Sequence, residues 1–514
     1  MHGRDGLNDA LAAQAAGMTI GAMLRLQVAL RPDHPAIEDG SRRLSFAQFN
    51  MRVNRLAHVL CGLDIGRGDR VAILAENRLE YLELLFAAGK LGAIVAALNW
   101  RLSDPELRHC IDLVAPKALL VAPAYLDAVP RLATQTGEII ALGEDYEARL
   151  SRAPDAEPTA VVGTEDGLMI LYTSGTTGLP KGALISHRAQ IARIFSACAD
   201  FDLAAGDNFV AWAPMYHMAS AEQSITVLCL GGMVHIVPGY DVDRLIHAIQ
   251  TVPQWWLVLM PGMIGSLIEA IRARPFSPAA IRLAGAMADL VQPHQIAEIS
   301  ALLRTPYANT FGSTETGLPP FSVGRFGPGV TPKKFGKIQN TSCHVRLVDP
   351  EDNDVPDGEP GEVVVRGPTL FSGYWNAQET NARDFRGGWF HLGDVCRRNP
   401  DGTVDFVDRV KYLIKSGGEN IYPAEIERVL LADPRVADAV VVRRADARWG
   451  EVPVAFIARR DESLTAAELL ARCRTALAGY KQPKSITFIR AEDLPRSTTG
   501  KIQRHEVEKW VLTP

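Results

Sequence analysis

Leu171–His187 reads LYTSGTTGLPKGALISH. These seventeen residues hold three Thr, two Ser, three Gly, one Pro and one Lys, and the apolar run DGLMILY leads into them. A buried strand that opens into such a turn exposes backbone N–H groups. The hydroxyls and the ammonium add further donors, so the turn is an anion cradle suited to a polyphosphate. A Walker A loop needs Gly, four residues, then Gly-Lys-Ser/Thr. Here Lys181 follows Pro180 and Gly182 follows Lys181, so that spacing is absent. Such residues taken singly make ordinary turns; their density here argues for a ligand.

Outward from this stretch, helical periods alternate with short apolar runs. LSFAQFNMRVNRLAHVLCGL places Phe46, Phe49, Val53, Leu56, Val59 and Leu60 on one helical face. RVAILAEN reads as a buried strand, YLELLFAAGKLG as a helix, AIVAAL as a strand, PELRHCIDLVAP as a helix and KALLVA as a strand. That order predicts an α/β domain with layered, largely parallel sheets. Ligands sit beyond the carboxyl ends of such strands, and the quoted stretch is one of those ends. From about Thr331 the texture changes. CHVRLVDPEDNDVPDGEPGEVVVRG reads as a hairpin around an acidic, Pro/Gly-rich turn, part of a small β-subdomain. GTVDFVDRVKYLIKSGGENIYPAEIERVLL passes from strand to Gly-rich turn to a helix with Pro423 just inside its start. VADAVVVRR, VPVAFIARR, TAAELLARCRTALAG and KSITFI then predict two antiparallel strands, a helix and a further strand, a small α+β unit. The expected domains are residues 1–409 and 410–514.

The 514 residues exceed what one core accommodates, at roughly 150 per domain. With 47% apolar and 22% charged residues the composition is globular, and a net charge of −5 with no basic run argues against nucleic acid or an anionic membrane as partner. The seven cysteines are scattered without a C-x-x-C, which predicts reduced packing residues in a cytoplasmic setting. The N-terminal stretch lacks an apolar core of signal-peptide type. LELLFAAGKLGAIVAAL, broken by Lys90 and two glycines, reads as buried helix–turn–strand and not as an integral membrane segment.

Four further segments accompany the loop: NTFGSTETG with Phe311, Thr314 and Glu315; GGWFHLGDV with Asp394; VDRVKYLIKSGGENIYPAEIE with Arg409, Lys411 and Lys415; and DLPRSTTGKIQR with Lys501. In this order they resemble the core motifs of the AMP-forming adenylate-forming superfamily, from about residue 20 to 505. That superfamily comprises acyl- and aryl-CoA synthetases, nonribosomal-peptide adenylation domains and firefly-type luciferases. The resemblance implies attack of a carboxylate on the α-phosphorus of ATP, giving an acyl-adenylate and pyrophosphate. A thiol, normally that of coenzyme A, then displaces AMP.

On this resemblance Thr173, Ser174, Gly175, Thr176, Thr177, Gly178 and Lys181 hold the β- and γ-phosphates, and Glu315 coordinates Mg²⁺. Phe311 stacks on adenine with Gly285, Ala286, Gly312 and Thr314 nearby, and Asp394 and Arg409 take the ribose or phosphate. Leu392 stands where the superfamily usually has Thr or Ser. Lys501 bridges carboxylate and α-phosphate from a mobile C-terminal domain whose hinge is Lys411, and Lys415, Gly417 and Gly418 face AMP or the thiol's path. Tyr216 and His217 border the acyl and pantetheine channels, with Ala219 and Met263 as wall residues. Acetate-activating relatives carry a Trp at the Gly312 position, and Gly285 and Ala286 are also small although Met287 departs from the frequent Pro. A roomy apolar pocket follows, with a medium- or long-chain fatty acid leading and an aryl or other bulky carboxylate next. A carrier-protein-loading adenylation enzyme and a degenerate nucleotide-binding protein are the competing readings. The first is disfavoured by the lack of a carrier domain after Pro514, the second by the presence of Lys501, Glu315 and Asp394. Superfamily members are often dimers, so a homodimer is expected.

Overall fold

The computed structural model describes residues 16–40, 42–132, 136–173, 179–417, 419–496 and 502–512. The chain forms two compact units: Met1–Leu259, Met263–His344 and Arg366–Phe385 make the first, and Met260–Gly262, Val345–Val365 and Arg386–Pro514 the second.

Two large sheets organise the first unit. One runs Glu138–Ala141, Ala118–Val121, Arg70–Leu74, Ile94–Ala97, then β1 (Gly167–Thr173) and β2 (Lys181–Ser186). Its pairs are parallel except β1 with β2, which is antiparallel. Its inner strands, such as IVAA and ALLV, bury every residue, as strands covered on both faces must. The other sheet has eight strands, parallel inside and antiparallel only at its two edges, where Arg42–Ser45 pairs with Pro35–Asp39 and Arg325–Phe326 with Tyr307–Asn309.

Helix Phe46–Gly62 buries Phe46, Phe49, Val53, Leu56 and Leu60 as its period predicts, whereas Val59 is only half-buried at the edge of that face. Ser45 and Gln48 close its first turn as a capping box. Helix Leu79–Leu91 is buried on every side, Glu80, Glu83 and Lys90 included, and ends at Gly92 with φ +70° before strand Ile94–Ala97. Among the described residues no helix is long and apolar enough to cross a membrane. All seven cysteines are free and five are buried.

In the second unit, strands His344–Val348 and Pro360–Arg366 flank the acidic turn and are joined by Phe390–Arg398 and Val404–Arg409 in a four-stranded sheet. A five-stranded sheet follows. Val436–Asp446 and Gly450–Arg459 pair antiparallel, and Ile486–Ile489 adds to the latter in parallel. Helices Pro423–Leu431 and Ala466–Ala476 cover it, burying Ile426, Leu430, Leu469 and Cys473 with Val441 and Ile457.

Candidate functional site

The loop that opened the sequence reading joins β1 to β2, whose last and first residues, Thr173 and Lys181, lie opposite each other in register. Ser174, Gly175, Thr176, Thr177 and Gly178 lie outside the described residues, as do Gly418 and Lys501. The foot of the loop is anchored: His109 Nε2 lies 3.0 Å from the Pro180 carbonyl. The outer edge of β2 is covered by residues 372–375, with Leu184 N donating to Gly373 O at 3.0 Å and Trp375 N to Gly182 O at 2.8 Å. This brings Tyr374 to the base of the loop. Lys181 Nζ rests 3.8 Å from the centre of the Tyr374 ring, and the Tyr374 hydroxyl donates to Glu315 Oε1 at 2.7 Å. Three side chains from distant segments thus form one chain of contacts.

Glu315 sits in the tight turn of a short hairpin, Gly312–Ser313 with Gly317–Pro320. Ser313 N donates to Thr316 Oγ1 and Phe371 N to the Glu315 carbonyl. Behind the turn lies Arg193, from helix His187–Asp200. Its Nη2 donates to Thr314 O at 3.1 Å, its Nε to Thr369 O at 2.9 Å, and Nη1 pairs with Glu222 of helix Met218–Cys229. Arg193 and Glu222 are both buried. Burial raises the Glu222 carboxyl to about 7 despite its partner and pulls the Arg193 guanidinium below its ordinary range. Glu315 is a single carboxylate, and among the described residues no group of three or more His, Cys, Asp or Glu could hold a metal ion. That donor set fits Mg²⁺, which keeps its waters and is commonly held through one carboxylate and substrate phosphates.

Gly285 and Ala286 end one strand opposite Ala308 and Asn309, so they adjoin Thr310 and Phe311. Phe311 is buried 5.9 Å from the Phe321 ring, and Asn309 ties the segment by accepting from Ala288 N and donating to Phe335 O. The two glycines here are also crowded by backbone. A Cβ on Gly312 would lie 2.0 Å from Gly317 O, and one on Gly285 would lie 2.2 Å from Ala308 O. Neighbouring backbone therefore leaves neither position room for a Cβ without a shift.

Tyr216 is buried edge-on to Trp100 at 6.5 Å. His217 caps helix Met218–Cys229, its Nδ1 accepting from Ala219 N at 3.2 Å. That acceptor role fixes the tautomer with the proton on Nε2 when the ring is neutral. The segment is held by Asn77, which sequence reasoning missed. Its Nδ2 lies within 3.1 Å of the carbonyls of Ala211, Ala213 and Val237, and its Oδ1 accepts from Met215 N.

In the second unit, strand register does the assembling. Asp394 on Phe390–Arg398 faces Arg409 on Val404–Arg409, and Arg409 Nε lies 2.8 Å from Asp394 Oδ1. Asp394 is 4% exposed, and it follows Gly393 at φ +75°, a conformation costly for residues with a Cβ. Next to this pair, Asp408 accepts from Ala424 N at 2.7 Å and from Arg504 Nη1 at 3.2 Å, while Arg504 forks onto Glu427 with both contacts at 2.7 Å. These long-range partners carry no local sequence signal. Lys411 Nζ lies 4.8 Å from the centre of the Tyr412 ring, and Lys415 is exposed on strand Ile414–Ser416. Gly417 has φ +60°, donates to Trp449 O at 2.8 Å, and has no room for a Cβ beside the Trp449 ring.

Comparison with known proteins matches residues 24–375 to the AMP-binding enzyme family and 425–501 to the AMP-binding enzyme C-terminal domain. A feruloyl-CoA synthase of an Amycolatopsis species is 34% identical over 93% of this chain and 96% of its own. An indoleacetate–CoA ligase of Aromatoleum aromaticum is 33% identical over 96% and 98%. Among solved structures, a Mycobacterium tuberculosis fatty acyl CoA synthetase superposes with TM-score 0.77 at 28% identity, covering 96% of this chain and 98% of that one. A Bacillus subtilis o-succinylbenzoate coenzyme A synthetase, in complex with ATP and magnesium ion, gives 0.80 at 26%, covering 95% and 99%. With its nucleotide-type loop, its carboxylate turn and both parts of the family present, the chain belongs to the AMP-binding enzymes and is an AMP-forming acid–CoA ligase.

Proposed function

We propose that this enzyme activates an aryl or similarly bulky carboxylic acid with ATP and Mg²⁺ and passes the acyl group to coenzyme A. The observation that carries the choice of acid is the likeness, over nearly the whole chain, to two ligases named for ring-bearing acids, feruloyl and indoleacetate. A medium- or long-chain fatty acid is the second reading, supported by the likeness to a fatty acyl CoA synthetase.

In the first step a carboxylate oxygen attacks the α-phosphorus and pyrophosphate leaves. Two anions meet, so cations and N–H donors serve better than a covalent nucleophile. Thr173, Ser174, Gly175, Thr176, Thr177, Gly178 and Lys181 hold the β- and γ-phosphates. Glu315 holds Mg²⁺, which when bound neutralises phosphate charge. Phe311 stacks on adenine beside Gly285, Ala286, Gly312 and Thr314. Asp394 accepts from the ribose hydroxyls while Arg409, paired with it, holds that carboxylate in place. Lys501 places its ammonium against the carboxylate and the α-phosphate. In the second step the thiol sulfur attacks the acyl carbon, AMP leaves, and the thiol proton passes to solvent. Lys411 serves as hinge, and Lys415, Gly417 and Gly418 border the thiol's path. Tyr216 and His217 border the acyl group. We further propose a cytoplasmic homodimer.

Pyrophosphate release with ATP, Mg²⁺ and CoA tests the reading across acetate, octanoate, palmitate, benzoate, cinnamate, ferulate and several amino acids. The expected result is a maximum among the cinnamate-type acids, with turnover dependent on CoA. A maximum at octanoate or palmitate would replace the aryl reading by the fatty-acid one. Turnover without CoA and only with amino acids would overturn both.

A further inference from the structure

Tyr374 belongs to none of the segments that point to phosphate or metal, yet it touches a residue of each. Lys181 Nζ lies 3.8 Å from its ring centre, and its hydroxyl donates to Glu315 Oε1 at 2.7 Å. An ammonium on an aromatic face is attracted by the ring quadrupole without being neutralised. A phenol donating to a carboxylate orients it and leaves its charge intact. A lysine and a glutamate brought to the same place without such a spacer would close on each other and cancel the charges that phosphate and metal need. The ring keeps cation and anion at opposite ends of one rigid side chain.

The surroundings hold Tyr374 itself firmly. It is 7% exposed, and Phe371 packs on it edge-to-face at 4.8 Å. Asn381 brackets its backbone, accepting from Tyr374 N and donating to Tyr374 O, both at 2.8 Å. A backbone bridge pairs it with Ala183 of β2, the strand that Lys181 begins. Gly373 before it has φ +103°, a backbone conformation that residues with a Cβ rarely adopt. The Glu315 carbonyl is held by Phe371 N at 2.8 Å, so the same segment fixes both the backbone and the carboxylate of Glu315.

We propose that Tyr374 is a positioning residue for the metal–polyphosphate end of ATP, its ring setting Lys181 and its hydroxyl setting Glu315. The assignment rests on the ligase reading above. Two variants separate its parts: Tyr374→Phe keeps the ring and loses the hydroxyl, and Tyr374→Leu loses both. Mn²⁺ retention in the enzyme–ATP complex, read from the free-Mn²⁺ electron paramagnetic resonance signal, reports Glu315 without turnover. ATP and AMP affinities by calorimetry report the polyphosphate share. Tyr374→Phe should weaken Mn²⁺ retention about tenfold, as expected for a lost bond to a charged group, and leave metal-free ATP and AMP affinity unchanged. Tyr374→Leu should in addition weaken metal-free ATP binding several-fold, with AMP still unchanged. Wild-type Mn²⁺ retention in Tyr374→Phe, or equal loss of AMP and ATP affinity in both variants, would overturn the assignment alone. A wild-type chain that binds no ATP would overturn the ligase reading, and this assignment with it.

Discussion

The Lys181–Tyr374–Glu315 cluster and the Asp394–Arg409 pair are assembled by opposite means. In the second, two opposite charges are cross-strand neighbours of one hairpin, and strand pairing brings them to 2.8 Å. In the first, a lysine that begins a strand, a turn carboxylate and a tyrosine from a third segment meet only because the chain returns to the first unit at Arg366–Phe385. The means of support differ as well. Asp408, which adjoins the hairpin pair, bonds to Arg504, itself forked onto Glu427. The turn of the first cluster is backed by the buried Arg193–Glu222 pair, which holds the backbone carbonyls of Thr314 and Thr369. A site made by register needs few supports, whereas one made by tertiary contact depends on whatever holds its segments together.

The strongest way to break this contrast is to remove the support of the first cluster. Arg193→Met strands Glu222 in the interior, and breaking one side of a buried pair costs about 3–5 kcal/mol. Urea unfolding should show that loss. Arg193→Met/Glu222→Met should regain much of it, while ATP binding stays impaired because Thr314 O and Thr369 O have lost their donor. Full ATP affinity in the double variant would show that the turn needs no such backing.

A smaller effect sharpens the contrast through pH. His187, the last residue of the quoted stretch, is buried with Nδ1 accepting from Ile20 N, and burial pulls its imidazole down to about 4 from an ordinary 6.5. The unfolded chain therefore takes up a proton that the folded chain refuses until about pH 4. The contribution is intact above pH 6.5 and is lost as pH falls through that window, about 2 kcal/mol between pH 7 and 5. His187→Gln should flatten this part of the stability–pH curve relative to wild type. An unchanged slope would mean the ring is charged or solvated in the folded protein.

Much of this architecture is legible along the chain. Strand–helix alternation, the buried run at Leu79–Leu91, the acidic turn after Val348 and the Pro423 helix start all follow from periodicity and turn chemistry. The Asp394–Arg409 pairing is only partly legible: the strands are adjacent in the chain, but a register shift between Val395 and Cys396 decides which residues face each other. Tyr374, Asn77 and Arg193 are not, because each acts through partners far away in sequence. The backbone crowding at Gly285 and Gly312 is also out of reach of the sequence. A missing side chain reads as space, and only the backbone shows that Ala308 O and Gly317 O occupy it.

The contrast makes one demand that binding can settle. The hairpin pair should serve the nucleoside and the loop cluster the β- and γ-phosphates. ATP and AMP affinities of Asp394→Asn and Lys181→Met, measured by calorimetry, test this directly. The account predicts that Asp394→Asn weakens both nucleotides alike, by about tenfold for a lost charge-assisted bond, and that Lys181→Met weakens ATP while leaving AMP unchanged. Equal loss of AMP and ATP in Lys181→Met, or loss confined to ATP in Asp394→Asn, would contradict it.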